Sequence, residues 1–139
     1  MTKTVEFFYD FGSPTVYLAA TQLPAIAGTT GATIDWRPML LGGVFKSTGN
    51  QSPVVVPAKA AHMKDDLERF AKRYGVPFRF NPHFPINTLA LMRGAVAYQD
   101  DAVASSTYRD AIFMAIWVEA RNLNEPEVIG QVLSDAGLD

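Results

Sequence analysis

The stretch from Phe7 to Ala19 is the feature that most limits how this chain can fold. It opens with consecutive aromatic residues, which are typical of a buried strand. Ser13 and Pro14 follow after a short break, and this pair favours a helix start, because serine is a preferred N-cap and proline fits the first turn. The pattern predicts a strand that runs into a helix, with a hydroxyl at the positive end of the helix dipole. Such a helix end can hold an anion, although most serines there only cap the helix.

A second strand is predicted directly after this helix. The helix should run from Pro14 to about Ala27, and residues 33–37 then alternate as a strand does, until Pro38 ends the pattern. Strand, helix and strand at this spacing form a βαβ unit with a right-handed crossover and two parallel strands. Ser13 then lies at the carboxyl end of the first strand, which is where open α/β sheets bind ligands.

Residues 39–57 show no clear periodicity. A connection of this length in a compact domain is usually functional or disordered, and its apolar residues favour an ordered loop. Lys46 and Asn50 are its most interesting polar residues. The simpler interpretations are a solvated charge at Lys46 and a turn residue at Asn50.

The rest of the chain is predicted to be mostly helical. Residues 58–74 form the clearest helix. Its apolar stripe consists of Met63, Leu67, Phe70 and Tyr74. Lys59 lies in the first turn, where a cation is electrostatically unfavourable, so its presence mildly suggests a bound anion. A proline-broken segment at residues 76–86 precedes three further helical patterns, which begin near Asn87, Ser106 and Asn124, the second being apolar nearly all round.

Composition excludes several classes of function. With 139 residues, 48% of them hydrophobic, the chain is one domain or slightly more. A net charge of -2 with mixed signs argues against a nucleic-acid partner. Because we find neither a membrane-spanning run nor a signal peptide, we expect a cytoplasmic protein without a membrane partner. The absence of cysteine excludes a cysteine nucleophile, and with only two histidines we predict no metal site.

Three motifs, taken in order, resemble a known family: FFYDFGSPTVYLA, WRPMLLGGVFKSTGN and PAKAAHMKDDLERFAKRYGVPFRF. They are similar to the 2-hydroxychromene-2-carboxylate isomerases and the kappa-class glutathione transferases, which belong to the DsbA-like thioredoxin superfamily. The resemblance implies an α/β thioredoxin-like fold. Residues 1–75 would begin the thioredoxin-like domain, and residues 76–139 would form most of an inserted all-helical domain. The family's chain continues with further strands and a final helix, so we expect the C-terminal part of the thioredoxin fold to be absent from this chain.

The resemblance also implies roles for individual residues. Ser13 falls on the family's serine, which is taken to hold the sulfur of bound glutathione as a thiolate, and a helix N-terminus supports that role physically. Asn50 and Lys59 fall on residues implied to bind glutathione. Lys46 falls on a lysine implied to lie near the substrate, and we expect Phe84 to contact the substrate as well.

Two positions beside the serine depart from the family's pattern. Gly12 stands where a larger apolar residue often sits, and Thr15 stands where an aromatic residue is common. Both lie on the approach to Ser13, so they bear directly on which substrate is accepted.

The reaction that the resemblance implies is an isomerisation in bacterial aromatic degradation, including that of naphthalene. The thiolate of the cofactor glutathione would add to the opened form of 2-hydroxychromene-2-carboxylate, and its expulsion after bond rotation would give trans-o-hydroxybenzylidenepyruvate. A nucleophile that belongs to the cofactor fits a chain without cysteine. The alternatives are glutathione transfer to other electrophiles and a non-catalytic thioredoxin-fold binding module. We expect a small aromatic carboxylate as substrate, and the chain could form a homodimer.

Overall fold

The computed structural model describes residues 2–139 and contains, within them, two strands and six α-helices. In chain order the elements are β1 (Thr4–Tyr9), α1 (Pro14–Thr30), β2 (Thr33–Pro38), α2 (Leu41–Thr48), α3 (Pro57–Tyr74), α4 (Leu89–Ala97), α5 (Ala102–Trp117) and α6 (Pro126–Asp135). A short 3-10 helix at Pro53–Val55 precedes α3. The chain is therefore a βαβ unit followed by helices, as the sequence predicts.

The βαβ unit forms because its local signals agree. β1 and β2 pair in parallel, starting with Thr4 opposite Thr33, and α1 connects them. Ser13 caps α1, as predicted. The helix continues past the predicted end at Ala27, because Gly31 is the residue that adopts the left-handed conformation which closes a helix, with a φ of 70°.

The core lies between one face of the sheet and α5. Tyr9 and Trp36 project from neighbouring strands and pack edge to face, with ring centroids 5.8 Å apart. From α5, Phe113 packs against Tyr9 with a centroid separation of 6.3 Å. The helix predicted to be apolar nearly all round is thus the buried one. Neither it nor any other helix within residues 2–139 is long and apolar enough to cross a membrane.

Helix α5 begins earlier than the sequence pattern indicated. The prediction placed its start near Ser106, whereas the helix begins at Ala102. Asp101 is the N-cap, and its carboxylate accepts hydrogen bonds of 3.0 Å from the backbone N–H groups of Val103 and Ala104. A strong polar cap therefore starts the helix before its apolar pattern becomes visible.

The prediction of a loop over residues 39–57 was wrong in its first half. Residues 41–48 form α2. Gly42 and Gly43 lower the helix propensity of this segment, which obscured its pattern in the sequence. The helix keeps Leu41 and Phe45, four residues apart, on its less exposed side.

Helix α3 agrees with the prediction within one residue, but its apolar stripe is only partly buried. Leu67 is 4% exposed, whereas Phe70 and Tyr74 are 39% and 38% exposed. The buried row continues from Leu67 to Ala71, one turn further along. Phe70 and Tyr74 lie at the border of that row and pack on one another, with centroids 5.7 Å apart.

The starts of α4 and α6 also differ by one or two residues from the prediction. Thr88 is the N-cap position of α4, while the preceding Asn87 accepts a 3.2 Å hydrogen bond from the backbone N–H of Leu89. Asn124 does not cap α6, because its side-chain oxygen accepts a 2.9 Å hydrogen bond from the backbone N–H of Asn87. The helix starts instead at Pro126, a favoured first residue.

Contacts cross the predicted domain boundary after Gly75. The Tyr17 hydroxyl donates a hydrogen bond to the carbonyl of Pro77. Further along, the Thr88 hydroxyl donates a 2.7 Å hydrogen bond to the carboxylate of Asp10. The division into residues 1–75 and 76–139 stays a prediction, but the two parts share hydrogen bonds and one apolar core.

Candidate functional site

Ser13 lies at the N-cap of α1, where β1 ends. Its Oγ accepts a 3.3 Å hydrogen bond from the backbone N–H of Val16. A serine hydroxyl can also donate one hydrogen bond, and within residues 2–139 no protein group accepts it. The first turn of α1 carries no acidic side chain. This helix end therefore offers a hydroxyl donor and a positive dipole to an anion.

A cleft of about 590 Å³ opens beside Ser13. Its walls come from the start of α2, from residues 52–55 and from residues 84–88, and Met63 of α3 completes them. Most of this lining is apolar. Within the described part of the chain Asp10 is the one charged residue in the lining, which contains no lysine, arginine or histidine. The cleft is in the size range of small-molecule sites.

The structure places several of the predicted residues in this one cleft. Ser13 and Phe84 both line it, and so do Gly12 and Thr15, the two departures from the family's pattern. Gly12 has little room beside it, since a Cβ at that position would lie 3.2 Å from the Cγ2 of Thr88. A larger side chain at residue 12 would therefore need this wall of the cleft to move.

The other predicted residues lie outside the cleft. Lys59 lines an adjoining shallow groove of about 440 Å³, which shares Pro53 and Met63 with the cleft. Lys46 and Asn50 are exposed and line neither space. The side-chain oxygen of Asn50 accepts a 2.9 Å hydrogen bond from the next backbone N–H. The binding roles of these three residues stay predictions.

Asp10 is the residue of the cleft that sequence reasoning did not single out. Its side chain is buried, and its carboxylate accepts hydrogen bonds from the Gly12 backbone N–H at 2.9 Å, from the Thr88 hydroxyl at 2.7 Å and from the Leu41 backbone N–H at 2.8 Å. In the sequence it interrupts an aromatic run just before the Ser13 cap, which is an unusual place for an acidic residue that is not exposed.

Several groups in the core have shifted pKa values. Burial raises the pKa of Tyr9, and the neighbouring Arg109 opposes that rise. Burial lowers the pKa of Arg109, whose guanidinium lies 4.2 Å above the centroid of the Trp36 ring. Burial also raises the pKa of Tyr108, and Tyr98 and Tyr9 add to that rise. No group of three or more potential metal ligands occurs within residues 2–139.

Comparisons with known proteins agree with the resemblance drawn from the three motifs. A model of the DSBA-like thioredoxin domain matches residues 4–139. The 2-hydroxychromene-2-carboxylate isomerase of Sphingobium xenophagum is 37% identical in a match that covers 100% of this chain and 71% of that protein. Human glutathione S-transferase kappa 1 is 27% identical over 99% of this chain and 64% of its own length.

Solved structures give the same result. A structure of selenomethionine 2-hydroxychromene-2-carboxylate isomerase superposes with a TM-score of 0.83 at 30% identity, covering 98% of this chain and 66% of that one. The predicted DsbA-like thioredoxin fold is thereby confirmed. The chain spans between 64% and 71% of the length of these three relatives.

Proposed function

This chain belongs to the family of DsbA-like thioredoxin domains. On that premise we propose that the protein is a glutathione-dependent isomerase or transferase. The observation that carries the proposal is Ser13, placed at a helix N-terminus and open to a cleft of small-molecule size. The first reaction we propose is the conversion of 2-hydroxychromene-2-carboxylate to trans-o-hydroxybenzylidenepyruvate, because the relative at 37% identity bears the name of that isomerase.

The cleft fits the sulfur end of glutathione. Bound glutathione supplies the thiolate nucleophile for reversible addition to a conjugated double bond. The Ser13 hydroxyl has a proton to donate, and the dipole of α1 favours negative charge at the same point. Together they hold a thiolate in preference to a thiol, which lowers the pKa of the bound sulfur.

The remaining predicted residues would act around this point. Lys59, in the groove that adjoins the cleft, would attract a carboxylate of glutathione, and Asn50 would hydrogen-bond to the peptide. Lys46 would steady the substrate carboxylate or a developing enolate as a fixed positive charge. Phe84 lines the cleft and would pack against the aromatic ring of the substrate.

A second candidate function is glutathione transfer to uncharged electrophiles. It is favoured by the lining of the cleft, which within the described residues contains no cation to pair with a substrate carboxylate. An uncharged electrophile would meet apolar walls from α2 and from residues 52–55 without leaving a charge unpaired. Human glutathione S-transferase kappa 1 is a relative at 27% identity.

The setting of the activity is part of the proposal. We place the protein in the cytoplasm of a bacterium that degrades naphthalene or related aromatics, with a homodimer as the assembly. Three measurements check these points separately. Induction during growth on naphthalene tests the degradative role, recovery in the cytoplasmic fraction tests the location, and the mass in solution tests the homodimer.

Assays of the purified protein test the proposed function. Conversion of 2-hydroxychromene-2-carboxylate is followed with and without glutathione, beside conjugation of glutathione to a neutral aryl halide. Isomerisation that requires glutathione supports the first reaction, whereas conjugation alone supports the second. Isomerisation equally fast without glutathione would refute the mechanism. If neither reaction occurs and millimolar glutathione fails to raise the melting temperature, the alternative of a non-catalytic thioredoxin-fold module is supported instead.

A further inference from the structure

We infer that Asp10 is a positioning residue that holds three walls of the cleft in place with a single buried carboxylate. It is 2% exposed. Its three hydrogen-bond donors are the Gly12 N–H in the turn before α1, the Leu41 N–H at the start of α2 and the Thr88 hydroxyl at the start of α4. All four residues line the cleft. No reaction step proposed above uses this group.

Asp10 replaces the missing cap of α2. The N-cap residue of that helix is Leu40, which makes no side-chain capping bond. The Leu41 N–H is one of the backbone groups that a helix start leaves without a partner, and Asp10 accepts it from 31 residues earlier in the chain. A carboxylate is also electrostatically favourable at a helix N-terminus. The position of α2 therefore depends on Asp10.

The same carboxylate orients the start of α4. Thr88 occupies the N-cap position, and threonine there commonly accepts a hydrogen bond from its own helix. Its side chain makes no such bond and donates instead to Asp10, 78 residues away in sequence. Asp10 thus accepts a hydrogen bond at the start of two helices that line the cleft, and in both helices the side chain of the N-cap residue makes no capping bond.

The arrangement fixes the cleft around Ser13. Gly12, next to Ser13, is held by Asp10 and lies so close to Thr88 that a Cβ would be 3.2 Å from the Cγ2 of that residue. Movement of either wall therefore changes the space in front of the serine hydroxyl. The kinetic consequence rests on the proposed function: loss of Asp10 should raise KM more than it lowers kcat, since Ser13 itself is retained.

Asp10→Asn is the direct test, because asparagine has nearly the same shape but accepts through only one of its two terminal atoms. Its NH2 group must then face the N–H of Leu41 or of Gly12. We expect hydrogen exchange at residues 41–44 and 88–92 to become about tenfold to a hundredfold faster than in the unaltered protein. Exchange rates in the βαβ unit should change much less.

Asn81→Asp is the matched control. Asn81 is also buried, lies outside the cleft lining, and uses its side chain in three hydrogen bonds, donating to the carbonyls of Ile116 and Arg121 and accepting from the N–H of His83. This variant should speed exchange near residues 116–123 and leave α2 unchanged. The same exchange pattern in both variants would overturn the positioning role.

A second pair of variants alters the hydrogen bond between Thr88 and Asp10 at Thr88. Thr88→Val keeps the shape of the side chain but has no hydroxyl, and Thr88→Ser keeps the hydroxyl. Faster exchange at residues 41–44 in Thr88→Val, with recovery in Thr88→Ser, supports the coupling of the two walls through Asp10. Unchanged exchange in Thr88→Val would overturn it.

Kinetics separate this inference from the proposed function. If the unaltered protein binds no glutathione, the proposed function fails, while the exchange data still decide the positioning role. If the unaltered protein is active, Asp10→Asn should raise KM about tenfold with a smaller change in kcat. Unchanged KM values in a folded, active Asp10→Asn would overturn the inference even though the proposed function stands.

Discussion

The indole N–H of Trp117 donates a hydrogen bond of 2.8 Å to the backbone carbonyl of Phe11, which lies 106 residues earlier in the chain. Both residues are fully buried. The Phe11 carbonyl belongs to the turn that leads into Ser13. The hydrogen bond from Trp117, the last residue of α5, therefore anchors that turn. The position of the serine hydroxyl therefore depends on a helix from the second part of the chain.

Trp117→Phe tests this anchor. The variant keeps an aromatic ring but leaves the buried Phe11 carbonyl without its donor, which should lower the free energy of unfolding by about 1–3 kcal/mol. Urea denaturation measures the loss. Trp36→Phe is the control, since Trp36 packs against the same core without a comparable bond to the turn. We expect Trp117→Phe to lower turnover more than the control does. Equal turnover in the two variants would contradict the anchoring role.

Ser13→Ala separates the capping role from the functional one. Loss of the cap should lower the free energy of unfolding by about 1 kcal/mol. Asp101→Ala removes the cap of α5, away from the cleft, and serves as the control for stability alone. In Ser13→Ala turnover should fall far more than in that control, and the pKa of bound glutathione should rise, which is visible as lower thiolate absorbance at neutral pH. A variant that is less stable but fully active would show that Ser13 only caps α1.

Lys59→Met tests the cation of the adjoining groove. An exposed charge pair contributes about 0.2–1 kcal/mol, so the Kd for glutathione should rise up to about fivefold, and the rise should shrink in high salt. Calorimetric titration at low and high salt measures it. Lys64→Met removes a cation from the same helix outside that groove and should leave the Kd unchanged. Equal effects of both substitutions would point to net charge rather than to a binding residue.

Tyr108→Phe should change how stability depends on alkaline pH. Burial raises the pKa of Tyr108 in the folded state, so above about pH 10 the unfolded chain releases this proton while the folded chain retains it. Because the folded state then binds more protons, stability falls as the pH rises, by up to about 1.4 kcal/mol per pH unit for this group. The variant lacks that slope.

The same substitution removes a hydrogen bond of 2.8 Å from the Tyr108 hydroxyl to the Leu91 carbonyl. At pH 7 the variant should therefore be less stable by about 1 kcal/mol, and the difference should narrow above about pH 10. Urea denaturation from pH 7 to pH 11 measures both effects. Parallel curves for the two proteins would mean that Tyr108 ionises equally in the folded and unfolded states.

The elements that could be predicted from the sequence are those with strong local signals. The Ser13 cap placed α1, and Gly75 with its φ of 66° closed α3 where expected. α2 was missed because Gly42 and Gly43 weaken its helix propensity, and its start is stabilised by a carboxylate outside the helix. A cap supplied from another element leaves no pattern in the local sequence.

The residues of the site likewise divide into those with a local sequence signal and those without one. The position of Ser13 follows from its neighbours in sequence, so it could be predicted. The contact of Asp10 with Thr88 could not, because it arises only when α4 packs beside the end of β1. In the sequence Asp10 only interrupts an aromatic run. Two of its three donors, Leu41 and Thr88, come from segments that only the fold brings to it.

Two hydrogen bonds, Thr88 to Asp10 and Trp117 to Phe11, connect the second part of the chain to the turn before α1. They also bear on the stage of folding at which the cleft forms. They join residues 78 and 106 positions apart, and because closing such long loops costs chain entropy, we expect these contacts to form late in folding. The βαβ unit and α3 can acquire their backbone structure earlier, since their contacts are more local. A chain that has folded only this far contains Ser13 but has no enclosed space in front of it. A small molecule that binds the cleft therefore selects chains in which α4 and α5 have already docked on β1, and stabilises only those.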